Sequence, residues 1–302
     1  MKLLILSSMG LILAAPMIAG DLETAHDNLK QAVQAKDVQA VKKLATEASV
    51  LARKTIATPA PAGAEAKAAW TKQVAYAKEV DLYTENALAA TGLQAEPAKL
   101  VELIALLEKQ NPKSKFLDAA YGPYFQALEQ TENGAKVVPI AEKAVLSQPE
   151  NVDILVIVAD AAMAKRQTGR AGILAEKLIA VLEKKPKPDN MSAEDWEARK
   201  KSALGHAHYI AGMAHSERQQ FSLADQDLRT ALPLIKDDEQ ATAASLFHLG
   251  VANYNVGIAA GNKAKVLEAV KFSEDAAAIK GPFAQPASAN VQRMKGEASR
   301  LK

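Results

Sequence analysis

Apolar residues recur every three to four positions along most of the chain, which is the spacing of one face of an α-helix. The first run is Leu22, Ala25, Leu29, Ala32 and Val33, and a second run extends from Val38 to Leu51. Asp37 lies between the two runs, and its short carboxylate side chain is suited to cap the second helix. We therefore expect the two runs to form a helix hairpin.

A short connector interrupts this pattern at residues 58–64, where the sequence TPAPAGA contains two prolines and a glycine. Helical spacing then resumes from about Glu65 to Ala90, which predicts one long helix. Gly92 is placed to end this helix in the left-handed conformation that glycine adopts readily. Residues 21–96 are therefore predicted to form an N-terminal helical region.

Three prolines spaced 37 residues apart, Pro112, Pro149 and Pro186, each close an apolar helical run. The runs read LIALLEKQNP, AEKAVLSQP and LIAVLEKKP. A fixed period of this length is typical of stacked repeats, in which each helix pair buries its apolar face only against its neighbours. The spacing predicts a solenoid of antiparallel helix pairs that begins at Pro97, which suits the first turn of a helix ending at Gln110.

The same pattern divides the rest of the chain into segments. Helix pairs are expected at about 113–148, 150–185, 193–235 and 241–279, followed by a last amphipathic helix at about 286–301. Ser192, with Asp195 three positions later, resembles the capping box that begins a helix. We accordingly predict divergent helix pairs in 97–190, more regular repeats in 191–280 and a capping helix in 281–302.

Composition supports helices throughout. Of 302 residues, 49% are hydrophobic and only 5% are aromatic, a balance that favours helices over sheets of β-branched and aromatic strands. The formal net charge is +2, and the local basic runs KKPKP (184–188) and ARKKS (198–202) are interpreted as a solvated loop, with an anionic docking patch as the alternative. The predicted fold class is therefore all-α, and nucleic acid is not an expected partner.

Residues 1–20 have the features of a secretory signal peptide: Lys2, an apolar stretch from Leu3 to about Ala15, and small residues before Asp21. An uncleaved anchor is the alternative, but the stretch is short for the roughly 20 apolar residues that a membrane span needs. Cleavage would follow Ala19 or Gly20. Because the chain has no cysteine, neither a lipid-attachment cysteine nor a disulfide is expected. From the signal peptide we predict a periplasmic or secreted protein without a membrane span after cleavage.

The segment YIAGMAHSERQQFSLADQDLRTAL (209–232) resembles a tetratricopeptide repeat. Gly212, Ala224 and Ala231 stand at positions where that family places small residues, which implies that the two helices of the pair touch there. The next unit has Gly250, Ala269 and Ala276 at the matching positions, with about seven extra residues between its helices around GIAAGNKAK. The resemblance covers about 97–280 and is clearest in 205–280.

In that family the first helix of each pair lines a concave groove for a protein or peptide. The resemblance implies a lining rich in tyrosine and apolar residues: Leu117, Tyr121, Tyr124, Phe125, Ile154, Val158, Tyr209, Met213, Glu217, Phe247, Val251, Tyr254 and Asn255. We take Tyr121, Tyr124, Tyr209, Met213, Phe247 and Tyr254 as the candidate binding residues. The alternative is that these side chains pack between adjacent repeats. A clamp for a C-terminal carboxylate is not expected, because Tyr209 and Met213 stand where such members of the family have Lys and Asn.

Residues suited to catalysis or metal binding are not arranged in a recognisable pattern. His206, His208 and His215 lie close together, but their spacing sets no third metal ligand. The fragment GIAAGNKA (257–264) departs from a phosphate-binding loop at several positions, and the acidic pair Asp237 and Asp238 is interpreted as part of a solvated loop. We expect no catalytic residue, cofactor or metal.

Two functional hypotheses follow from these observations. The first is an exported, non-catalytic scaffold that binds a protein or peptide in the bacterial cell envelope. The alternative is a small-ligand or enzymatic activity in residues 21–96, with the repeats as an adaptor. The sequence identifies neither the partner nor the oligomeric state.

Overall fold

The computed structural model describes residues 14–188 and 191–301, with side chains from Gly20 onward, and the regular structure in these ranges is entirely helical. This confirms the predicted all-α class. The helices are α1 (Ala14–Gln34), α2 (Val38–Ile56), α3 (Ala64–Leu93), α4 (Pro97–Gln110), α5 (Leu117–Gln130), α6 (Val137–Ala144), α7 (Val152–Ala164), α8 (Thr168–Lys184), α9 (Ala193–Glu217), α10 (Phe221–Ala231), α11 (Glu239–Ala259), α12 (Lys263–Ala278) and α13 (Ala284–Arg300). Short 3₁₀ turns lie at Gly134–Lys136 and Leu232–Leu234.

The chain divides between Val137 and Val138 into two compact units, here called the N-terminal unit (residues 14–137) and the C-terminal unit (residues 138–301). Within the N-terminal unit, α1 to α5 each pack on the next helix along the chain. Within the C-terminal unit, α7 to α13 do the same. Packing between sequence neighbours is the arrangement expected for stacked helices in a solenoid-like fold.

Most of the predicted signal peptide lies outside the described residues, since the description begins at Ala14. The predicted cleavage region falls within α1. Within the described chain, no helix combines the length and the apolar character needed to cross a membrane.

Helix starts follow the local signals in the sequence closely. The Asp37 carboxylate accepts hydrogen bonds from the backbone N–H groups of Gln39 and Ala40 at 3.1 and 3.0 Å, as the predicted cap of α2 requires. The Ser192 hydroxyl accepts a bond from the Asp195 N–H at 3.0 Å at the start of α9. Pro97 is the first residue of α4, as predicted.

The predicted left-handed conformation of Gly92 is wrong: α3 ends one residue later, at Leu93, and Gly92 is buried within the helix without a positive φ angle. A Cβ atom at this position would lie 3.4 Å from side-chain atoms of Leu103 and Ile104 on α4. This is an ordinary van der Waals distance, so Gly92 lies at the contact between α3 and α4.

The extra residues around GIAAGNKAK do not form an extended loop between the two helices. Helix α11 continues to Ala259 and α12 begins at Lys263, so these residues lengthen both helices and leave a turn of three residues, 260–262. The final helix, α13, packs on α12, with Val291 and Met294 covering Val270.

One turn geometry recurs after five of the described helices. Lys36, Glu132, Arg166, Gln219 and Gly261 have positive φ angles between 54° and 61°. In each turn the N–H of the following residue donates to the carbonyl oxygen five positions earlier, for example Gln220 to His215 at 2.9 Å. This is the Schellman arrangement that ends a helix. The same turn follows α1. The turn between α1 and α2, a region without the 37-residue proline spacing, therefore has the same geometry as the later turns.

Replacing Gln219 with glycine should stabilise the C-terminal unit by about 1 kcal/mol, because a left-handed backbone is costly for a residue with a Cβ atom. Gln226 is the matched control: it is exposed on α10 with ordinary helical geometry, so Gln226→Gly should destabilise by about 1 kcal/mol. Urea unfolding measures the change in the free energy of unfolding for each variant. If both variants were stabilised or both were destabilised, the left-handed conformation assigned to Gln219 would be contradicted.

Candidate functional site

An open groove of about 630 Å³ lies in the C-terminal unit between α9 and α11. The segment connecting α10 to α11 forms one end of the lining, and Phe283 adds an aromatic ring from the segment between α12 and α13. The lining consists of Ser202, His206, Tyr209, Leu234, Ile235, Asp237, Asp238, Gln240, Ala241, Ala244 and Phe283. We call this surface the α9–α11 groove.

Tyr209 connects the groove to the core of the unit. Its half-buried ring packs against the cluster that contains Met213, Leu228 and Leu249. Burial raises the pKa of the Tyr209 phenol, and the negative charges of Asp238 and Asp160 raise this pKa further. The phenol is therefore protonated at neutral pH and presents both a ring edge and a hydrogen-bonding group.

His206 forms a hydrogen bond with a residue from another helix. Its Nε2–H donates to Asp160 Oδ1 on α7 at 2.7 Å. This hydrogen bond raises the pKa of His206, although burial acts in the opposite direction, and Asp160 and Asp238 add electrostatic attraction. His206 is thus hydrogen-bonded to Asp160, whereas Asp237 and Asp238 are further carboxylates in the lining.

The acidic segment of the groove is held in place by local contacts. Asp238 caps α11, with its Oδ1 accepting from the Ala241 N–H at 2.9 Å. Gly205 on α9 lies directly under the segment, since a Cβ atom there would be 2.5 Å from the Leu234 Cβ. The missing side chain at Gly205 lets the α10–α11 segment pack against α9, which brings Asp237 and Asp238 beside Tyr209.

Phe283 is supported by other aromatic rings. Its ring centroid lies 5.2 Å from that of Phe247 and 6.1 Å from that of His248, both on α11. Burial lowers the pKa of His248, and the His248 Nδ1 lies 2.7 Å from the Ser216 hydroxyl. These contacts support the Phe283 ring at the groove.

The six candidate binding residues have different environments. Tyr209 lines the groove, and Phe247 contacts Phe283, which also lines it. Met213 is only 8% exposed and belongs to the core. Tyr254 packs under α13, with the Arg293 guanidinium 4.8 Å from its ring centroid.

Tyr121 and Tyr124 require a correction, because they are 0% and 2% exposed within the N-terminal unit. They stack with Phe125, and burial raises the pKa of Tyr124 to about 12. The alternative stated for these aromatics, packing inside the protein, is the observed one. Four further residues of the implied lining are also buried: Leu117, Phe125, Ile154 and Val158.

His208 and His215 share one carboxylate. Each donates from Nδ1 to a different oxygen of Asp227 on α10, both at 2.8 Å. Within the described ranges, no group of three or more His, Cys, Asp or Glu side chains is arranged to hold a metal ion. The arrangement links α9 to α10, with Glu176 of α8 3.3 Å from His215 Nε2.

Charged groups in residues 21–96 also pair between helices. Arg53 on α2 contacts Asp81 on α3 at 3.1 Å, and Lys42 donates to Glu102 on α4 at 2.8 Å. Hydrogen bonds from Lys42 and Lys99 lower the pKa of Glu102 to about 2. These ion pairs connect neighbouring helices of the N-terminal unit.

The sequence does not identify three important parts of the groove. Asp237 and Asp238 have the pattern of a solvated loop, His206 is notable in sequence only as a metal-ligand candidate, and Phe283 carries no signal of its own. Their common property is position: the lining comes from α9, α11 and two connecting segments, and no short-range pattern brings these together. In comparisons with known proteins, no family model matches the chain, and no curated protein matches it.

Proposed function

We propose that this protein is an exported, non-catalytic helical-repeat scaffold of the bacterial cell envelope, and that it binds a segment of a protein partner in the α9–α11 groove. The observation that carries the proposal is the groove itself, an open surface of about 630 Å³ that combines aromatic, aliphatic and carboxylate side chains. Tyrosine at such a surface supplies a large contact area with few rotatable bonds.

The close approach between α9 and α10 supports the tetratricopeptide-like part of this proposal. Gly212 faces Leu228, and Ala224 and Ala231 are fully buried. Gly250 on α11 faces Ala269 and Ser273 on α12. Small residues thus occupy the contact positions of both pairs, as expected for repeats that present the first helix of each pair to a ligand.

Export is supported by the apolar character of residues 3–15, and the chain contains no cysteine that could form a disulfide. A scaffold in an oxidising compartment then depends on helix packing rather than disulfides. The interhelical ion pairs of residues 21–96 are consistent with a structural role for the N-terminal unit.

Site-specific photocrosslinking in cells tests this function. A photoreactive residue at Ser202, which is exposed and lines the groove, should capture a protein partner in the exported fraction. The same residue at Glu183, exposed on α8, is the control and should not capture that partner. Adding Tyr209→Ala should reduce capture from position 202 at least several-fold while the melting curve shows a folded protein.

Two results would contradict the proposal. One is an equal set of captured proteins from positions 202 and 183. The other is capture from position 202 that Tyr209→Ala leaves unchanged, since the partner would then not occupy the groove. Fractionation of the same cells shows whether the protein is exported.

A further inference from the structure

We propose that the α9–α11 groove recognises a cationic side chain, lysine or arginine, next to an aromatic or aliphatic residue of the partner segment. This inference rests on the proposed function and specifies the chemistry of the segment. It follows from the charge of the lining, the availability of its carboxylates and the position of its aromatic rings.

The charge of the groove is one-sided. Asp237 and Asp238 belong to the lining, which contains no lysine or arginine among the described residues. His206 is the single basic group there, and its imidazole is engaged by Asp160 at 2.7 Å. A cation entering the groove therefore meets the carboxylates of Asp237 and Asp238, neither of which is hydrogen-bonded to this histidine.

Both carboxylates retain capacity to bind a ligand. Asp238 uses Oδ1 to cap α11, which leaves Oδ2 without a hydrogen bond or ion pair within residues 20–188 and 191–301. The Asp237 carboxylate also has no hydrogen bond or ion pair within these described residues. Because hydrogen bonds between charged partners are stronger than neutral ones, a lysine ammonium or arginine guanidinium is a favourable partner for them.

The apolar residues of the lining suit the rest of such a side chain. Tyr209 and Phe283 provide aromatic surface, and Leu234, Ile235 and Ala244 provide aliphatic surface. A lysine or arginine buries its methylene stem against apolar groups while its charged end reaches a polar site. An aromatic ring face also attracts a cation directly. The groove is thus complementary to a cationic residue with an apolar neighbour, whereas an acidic segment would be repelled.

Peptide binding to the full chain tests this inference. The probes are three fluorescein-labelled nine-residue peptides, GSGFKFGSG, GSGFQFGSG and GSGFEFGSG, which differ only in the charge of the central residue. Fluorescence polarisation should show tightest binding for the lysine peptide, by at least tenfold over the glutamate peptide. Raising the salt concentration should weaken the lysine peptide most, since exposed charges are screened.

The double variant Asp237→Asn/Asp238→Asn removes the charge but preserves the shape of the groove. Asparagine is as good a helix cap as aspartate, so α11 keeps its cap. The affinity for the lysine peptide should fall at least tenfold in this variant. Glu183→Gln/Glu194→Gln is the matched control, because it removes two exposed carboxylates outside the groove lining and should leave the affinity unchanged.

The outcomes separate this inference from the proposed function. If the glutamine or glutamate peptide binds as well as the lysine peptide, and Tyr209→Ala abolishes that binding, the groove binds peptides but the cationic preference is wrong. If the lysine peptide binds equally to the wild type and to Asp237→Asn/Asp238→Asn, the inference is also overturned. Absence of binding by all three peptides overturns the inference, whereas the photocrosslinking result decides the proposed function independently.

Discussion

Replacing Gly212 with alanine is expected to destabilise the C-terminal unit by about 1–3 kcal/mol, the usual range for adding a methyl group to a well-packed interface. A Cβ atom at position 212 would lie 2.6 Å from Leu228 Cγ and 3.2 Å from Asp227 Cβ. Leu228 is fully buried, so its side chain has little space into which to move. Relief of the overlap therefore requires α9 and α10 to separate.

Separation of these helices would also disturb a polar contact. Asp227 accepts hydrogen bonds from both His208 and His215 of α9 at 2.8 Å. Helices α9 and α10 are therefore linked by a carboxylate that reaches both histidines only while the two helices lie close together. Gly212 permits that distance, so a single methyl group affects apolar packing and hydrogen bonding together.

Urea unfolding in a Trp70→Phe background measures this effect, because buried Trp196 of the C-terminal unit is then the single tryptophan. Gly296→Ala is the control: Gly296 lies in α13, and a Cβ atom added there would meet no neighbouring atom within 4 Å. That variant should be stabilised by up to about 1 kcal/mol, because alanine favours a helix more than glycine does. Equal destabilisation of both variants would show that loss of glycine itself, rather than contact with α10, is responsible.

Helix positions were predictable from the sequence because their determinants are local. Asp37 and Ser192 cap helices through atoms two or three residues away, and Pro97 fits a first turn for reasons confined to its own ring. The end of α3 was not predictable in this way. Gly92 carries the local signal of a helix end, but it is buried within α3 and does not have a positive φ angle.

The candidate site was less predictable, because burial depends on what packs over a residue. Tyr121 and Tyr209 both occupy first helices of predicted pairs, yet Tyr121 is enclosed and Tyr209 borders an open groove. Asp237 and Asp238 have the sequence of an ordinary solvated loop. The close fit of Leu234 over Gly205 packs that loop against α9, the helix that carries Tyr209.

The largest loss of stability is expected for Tyr121→Ala, at about 3–5 kcal/mol, the range for truncating a large buried aromatic side chain. The Tyr121 ring is 0% exposed, and its centroid lies 5.5 Å from that of Phe125 in a stacked arrangement. Its hydroxyl donates to Glu108 Oε1 at 3.3 Å, and burial raises the pKa of Tyr121. Truncation would therefore leave a cavity in the N-terminal unit and remove a buried hydrogen bond.

Hydrogen exchange of peptides from α4 and α5 reports this loss locally, and two variants serve as controls. Tyr121→Phe keeps the ring and should cost only about 1 kcal/mol, the net value of one hydrogen bond. Tyr209→Ala should leave exchange in α4 and α5 unchanged, because Tyr209 belongs to the C-terminal unit. If Tyr121→Ala instead folded with normal protection and lost the partner captured from position 202, Tyr121 would be a binding residue and its assignment to the core would be wrong.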